Sequence, residues 1–154
     1  MRQRIEAMME TPMRKMILTL TAAMALTACV TRTAGADEIA SGEWFLLALD
    51  GTRFSAEASL AFDAAGGVHG KAPCNRYSGP NGATLPAVDL SRLASTRMAC
   101  PALAEENLYL QALAVMTAAE LRDGHLLLTG PDGRRAEFVR DPGDKALVCL
   151  TCDG

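Results

Sequence analysis

Between residues 42 and 140, apolar side chains recur in short bursts separated by turn-forming residues. Trp44-Phe45-Leu46-Leu47-Ala48-Leu49 is an apolar run closed by Asp50-Gly51, a turn signal. Ser59-Leu60-Ala61-Phe62-Asp63 alternates, with Leu60 and Phe62 on one face. Ala65-Gly66-Gly67 turns the chain into Val68-His69-Gly70-Lys71, and the unit reads as a β-hairpin. Residues 75–82 hold three glycines or prolines and two asparagines, so they read as a long turn. Residues 85–98 read as irregular strand, with Val88, Leu90 and Leu93 candidates for burial. Near the end, Gly124-His125-Leu126-Leu127-Leu128-Thr129 and Arg134 to Val139 form two more strands around the turn Gly130-Pro131-Asp132-Gly133.

One stretch breaks the β pattern. Pro101 opens a run in which Glu105 and Glu106 come early and Leu103, Leu110, Leu113 and Met116 fall near one face at helical spacing. The pattern predicts one helix whose apolar face covers a sheet. The fold class expected is mainly β: a small antiparallel β-barrel or strongly curved sheet of about eight short strands, with one packed α-helix.

Upstream of this domain the pattern changes. Arg14 and Lys15 precede residues 16–28, which carry no charge. That length suits the apolar region of a signal peptide and falls short of the roughly 20 residues a membrane-spanning helix needs. The run ends in Leu26-Thr27-Ala28-Cys29, which fits all four positions of a bacterial lipobox. The expected division is a lipoprotein signal peptide over 1–28, a flexible tether over 29–41, the domain over 42–140 and a C-terminal tail over 141–154. Cys29 is the expected lipid attachment site, with the membrane as partner through that anchor. The alternative is a plain secretory signal with Cys29 an ordinary thiol. Val30 follows the cysteine where an Asp would retain the protein in the inner membrane. Sorting in Gram-negative cells then favours the periplasmic face of the outer membrane.

Composition changes this picture in two places. Removing residues 1–28 leaves 11 basic and 16 acidic side chains, a net of −5, with no basic stripe. That argues against nucleic-acid binding. The five cysteines are Cys29, Cys74, Cys100, Cys149 and Cys152, an odd number for an exported protein unless one is modified.

Several strings in the domain resemble those of the META domain family, the family of HslJ-like bacterial lipoproteins. They are Trp44 with Asp50-Gly51, then Leu60-Ala61-Phe62 with Gly67-Val68-His69-Gly70. Cys74-Asn75-Arg76-Tyr77-Ser78-Gly79 and Thr96-Arg97-Met98-Ala99-Cys100 are the most specific. Glu106, Leu110-Gln111-Ala112-Leu113, Leu126-Leu127-Leu128 and Gly133 follow in order. The resemblance covers about residues 42–140. Ala72-Pro73 departs from it, since Pro ahead of Cys74 cannot donate to a strand ladder. The resemblance implies the curved sheet or barrel with one helix. It also implies loose links to heat shock, stress and drug tolerance, without an activity.

Cys74 and Cys100 lie in the two specific strings and are expected to pair in an oxidising compartment, the alternative being two buried thiols. Cys149-x-x-Cys152 lies outside the family pattern and reads as a local disulfide in the tail, with redox or metal chemistry as the alternatives. Asn75, Arg76 and Tyr77 could bind a ligand. Their bland reading is turn chemistry, with Arg and Tyr covering a strand edge. Gly79, Thr96, Arg97 and Met98 are family-motif residues, Thr96 and Arg97 with a capping and ion-pairing reading. His69 and His125 sit in strands with no carboxylate at a suggestive spacing. The sequence therefore predicts no catalytic residue, metal or cofactor. It predicts a non-enzymatic envelope lipoprotein supporting envelope integrity under stress or antibiotics. Two alternatives stand beside it: a barrel module holding a small apolar ligand, and a thiol-redox protein. An envelope protein or a small apolar ligand is the expected partner besides the membrane.

Overall fold

In the computed structural model, two-residue turns of Asp-Gly set the sheet. Asp50 and Gly51 both have positive φ (49° and 74°), as do Asp123 and Gly124 (50° and 83°). Such turns match the right-handed twist of the strands they join. The structure describes residues 31–144 and 146. Cys29, Cys149 and Cys152 lie outside these, as does most of the unit comprising residues 1–32. The second unit, from Thr33 onward, carries the fold.

Among the described residues, nine antiparallel strands form one sheet that is not closed by a continuous ladder. They are β1 (Glu43–Leu49), β2 (Thr52–Arg53), β3 (Ser59–Phe62), β4 (Gly67–Lys71), β5 (Arg76–Pro80), β6 (Ala94–Ser95), β7 (Ala118–Arg122), β8 (His125–Thr129) and β9 (Arg135–Val139). Helix α1 spans Thr31–Ala40 and helix α2 spans Leu103–Ala114. The strand order is β6-β5-β4-β3-β1-β9-β8-β7, with β2 paired to β1. The segment between β5 and β6 crosses to the far end of the sheet. There Ala87 bridges Ala118, Val88 N–H donates to Thr117 O (3.0 Å) and Ala119 N–H donates to Pro86 O (2.7 Å). Val88 and Leu90 are buried by this crossing, and Leu93 is half-buried.

A register shift in β1 between Leu46 and Ala48 changes which side chains face inward. Trp44, Leu46 and Leu49 all reach the core because of it, which strict alternation would not allow. The interior is filled by Trp44, Tyr109, Phe138, Leu60, Leu113, Met116, Leu126 and Leu128, each nearly inaccessible. Each buried aliphatic side chain of this kind contributes about 1.5–3 kcal/mol relative to exposure.

Four expectations are corrected. Residues 75–82 are not a long turn. Arg76–Pro80 is strand β5, paired with β4 from Gly67↔Pro80 to Lys71↔Arg76. Ladder bonds and the burial of Tyr77 override the turn-forming residues. Residues 85–98 hold only the two-residue strand β6 and the Ala87 bridge. Ala118–Arg122, not read as an element, is strand β7, paired with β8 over its whole length. The tether over 29–41 is also too long: Thr31–Ala40 is helical, and Ile39 is 2% exposed within the core cluster. Trp44 Nε1–H donates to Ile39 O (2.9 Å) and the Arg140 guanidinium stacks 3.7 Å from the Trp44 ring centre. Arg140 also donates to Glu38 O (2.6 Å), so the helix end is bonded to the sheet.

The face of α2 is rotated from expectation too. Its buried residues are Glu106, Tyr109, Ala112 and Leu113, with Met116 just beyond, whereas Leu103 is exposed and Leu110 only half-buried. The polar groups of Glu106 and Tyr109 have specific partners inside, which offset the cost of burying them.

Candidate functional site

The two cysteine-containing strings meet at one buried knot. Cys74 and Cys100 form a disulfide, with Cα atoms 5.9 Å apart. Beside it lies Asn75, 2% exposed, and Glu106 of α2, 3% exposed. Glu106 Oε2 accepts the backbone N–H of Cys74 (3.0 Å) and of Asn75 (2.7 Å), and Oε1 accepts the Asn75 amide (2.8 Å). Asn75 Oδ1 accepts from Thr96 Oγ1 (2.9 Å) and from Met98 N–H (2.7 Å), and its amide also donates to Met98 O (3.2 Å). The Asn75 side chain thus imitates a strand backbone toward Met98. Met98 itself is 63% exposed, so its place in the motif serves its backbone. Strand β4 ends at Lys71, and Ala72 N–H donates to Asn75 O (2.7 Å), so Pro73 falls in a turn where no ladder bond is lost. Gly79 is explained by contact: a Cβ there would lie 2.7 Å from Arg92 O. Arg97 is exposed.

A second polar group lies deeper. The hydroxyls of Tyr77 and Tyr109 are 2.8 Å apart and both reach Ser59 O, at 2.7 and 3.0 Å. Burial, the largest cause, pushes the Tyr77 phenol well above its ordinary value, with Glu43 adding to it and the bond to Tyr109 opposing it. Burial likewise raises Tyr109, reinforced by Tyr77. Both phenols stay neutral at physiological pH. Tyr77 therefore does not cover a strand edge, and neither it nor Asn75 is open to a ligand. Of the three, only Arg76 faces outward.

Arg76 lines a groove of 510 Å³ on the outer side of β4, β5 and β6, together with Glu43, His69, Lys71, Ser78 and Thr96. Register explains the grouping. His69 pairs with Ser78 and Lys71 with Arg76, so these four side chains share a face. Beneath them, Gly70 leaves room for Ser59 and the Tyr77 hydroxyl, which a Cβ would strike.

A third pair was not readable from spacing. His125 Nδ1 lies 2.7 Å from Glu137 Oε1, and Nε2 lies 3.5 Å from Asp144 Oδ2. His125 and Glu137 come from adjacent strands and are both buried. Among the described residues no group of three or more His, Cys, Asp or Glu could hold a metal ion, and no helix is long and apolar enough to cross a membrane.

The fold and its knot define a class: a small antiparallel β domain whose helix α2 carries the acid that binds the cysteine turn. The META domain family model matches residues 37–143, and the chain belongs to that family. Among solved structures it is similar to a protein from Burkholderia xenovorans, with a TM-score of 0.56 and 27% identity over 71% of this chain and 88% of that one. Another solution structure aligns with a TM-score of 0.54 at 19% identity, over 71% of this chain and 97% of that one. A DUF4847 family protein from Bacteroides vulgatus shares the fold, with a TM-score of 0.52 at 14% identity over 70% and 98% of the two chains. None of the curated proteins matches.

Proposed function

We propose that this chain is a non-enzymatic lipoprotein of the cell envelope that supports envelope integrity under stress or antibiotic challenge. The observation that carries the reading is Leu26-Thr27-Ala28-Cys29 closing an uncharged run, just ahead of a META domain. Cleavage before Cys29 and acylation of its thiol anchor the domain by several acyl chains, where one would be marginal. The Cys74–Cys100 bond supports export, because disulfides persist in oxidising compartments. Val30 favours the outer membrane, periplasmic side.

The non-enzymatic part draws support from how the buried polar groups are used. Asn75, Glu106, Tyr77 and Tyr109 bond to one another or to backbone, and His125 is held by Glu137. The side-chain-filled interior favours the outer surface over a barrel cavity as the place where a partner binds. The stress role follows from the family resemblance. A deletion strain and a Cys29→Ser strain, profiled against heat, detergents and hydrophobic antibiotics, test it. Both are expected to lose tolerance to at least one stress. Wild-type behaviour of both under every condition contradicts the role.

A further inference from the structure

The groove over β4, β5 and β6 has an uneven hydrogen-bonding inventory, and the surplus identifies its ligand. Two of its charged groups are engaged. Lys71 Nζ pairs with Glu57 (2.9 Å), and Glu43 Oε1 accepts the Ser59 hydroxyl (2.6 Å). Thr96 is engaged as well, since its hydroxyl donates to Asn75 and accepts the Arg76 backbone N–H (3.3 Å). What remains is one acceptor, Glu43 Oε2, against three donor groups, the Arg76 guanidinium, the His69 ring and the Ser78 hydroxyl, none of which has a side-chain partner among the described residues.

Their spacing is set by the ladder. His69 and Ser78 are directly opposite in register, and Arg76 is two residues from Ser78 on the same strand. Opposed residues have Cβ atoms about 5 Å apart. Residues two apart on one strand and one face are about 6.5–7 Å apart. The three Cβ atoms thus outline a triangle small enough for their donor groups to converge on a single carboxylate or phosphate group. Guanidinium is the side chain whose planar fork matches either group with two parallel bonds.

The support beneath is stiff. Arg76 follows directly on Asn75, which is tied to Glu106 and Met98, and its backbone is bonded on both sides to Thr96. The strand therefore presents Arg76 and Ser78 from a fixed floor rather than from a loop, which lowers the ordering cost of binding.

We infer that His69, Arg76 and Ser78 form a binding site for an oxyanion, the carboxylate or phosphate of a soluble molecule or the phosphate of a lipid headgroup. The site does not depend on the proposed role of the protein. The test is titration of the full-length chain, isotope-labelled and held in a nonionic detergent, followed by amide NMR. Inorganic phosphate and acetate are added at constant ionic strength against a chloride reference. Saturable shifts confined to His69, Arg76, Ser78 and their neighbours are expected with at least one oxyanion. Arg76→Gln is expected to weaken that binding at least fivefold and Ser78→Ala at least twofold. Arg92→Gln, outside the groove, leaves it unchanged. Doping the same detergent micelles with phosphatidylglycerol, compared with phosphatidylcholine, separates the sources: shifts of the same signals with the anionic lipid assign the lipid headgroup, and their absence assigns a soluble ligand. Shifts no larger than with chloride overturn the inference, as does wild-type affinity in both groove variants.

Discussion

Glu106 holds the Cys74–Asn75 turn by three hydrogen bonds, one from the Cys74 backbone N–H and two from Asn75, its backbone N–H and its side-chain amide. Glu106 and Asn75 stand 31 positions apart, one on helix α2 and one ahead of strand β5. Through them the helix grips the turn, and the turn grips the Thr96–Met98 segment.

Asn75→Ala removes acceptors for Thr96 and Met98 and leaves half of the Glu106 carboxylate without its partner. Unmet buried groups of this kind cost about 1–3 kcal/mol each. A loss of about 2–4 kcal/mol in urea unfolding is expected, and Glu106→Ala should cost at least as much. A loss under 1 kcal/mol for both contradicts this account of the knot.

Reducing the Cys74–Cys100 bond frees a loop spanning 26 positions. By chain entropy that corresponds to about 3–4 kcal/mol. A Cys74→Ser, Cys100→Ser double variant is expected to unfold at correspondingly lower urea than the oxidised chain. An unchanged midpoint sinks the prediction.

The chain has two tyrosines, and both are buried in the same cluster. Their folded values are raised from an ordinary value of 10.0, so the fold keeps the phenols neutral while the unfolded chain ionises them. The sign follows. Their contribution is fully present below pH 10 and is lost as pH rises from there toward the folded values. The loss is about 1.4 kcal/mol per pH unit for each phenol. Tyrosinate absorbance near 295 nm should stay absent until the near-ultraviolet dichroism collapses, then appear with it. Ionisation of either tyrosine in the folded chain at pH 10 runs against the prediction.

Ile39 tests the revised start of the domain. Ile39→Ala is expected to cost about 2–4 kcal/mol, as for other buried aliphatic residues. A surface tether would lose under 0.5 kcal/mol. Tm by dichroism distinguishes the two.

The hairpins were legible because their signals are local: Asp50-Gly51, Ala65-Gly66 and Pro131-Asp132-Gly133 all fall at turns. Strand β5 was not, because Gly79 and Pro80 read as turn residues and only the close approach of Arg92 explains the glycine. The helix was found but its face was mis-set. Leu103 and Leu110, taken with Leu113 and Met116, drew the apolar stripe away from Glu106 and Tyr109, whose burial depends on partners 32 positions upstream. Strand β7 is rich in alanine and follows the helix without a breaker, so nothing local marks it. The groove residues lie on β4 and β5 in separate strings. Only register shows that His69, Arg76 and Ser78 share a face. The His125–Glu137 pair is likewise a product of β8–β9 register.

The proposal that this META protein is anchored through Cys29 is tested most directly by the intact mass of the protein extracted from membranes. The account predicts a chain beginning at Cys29 and carrying a diacylglycerol thioether, with or without an acylated amine. A mature chain lacking acyl groups, or one cut elsewhere, contradicts it.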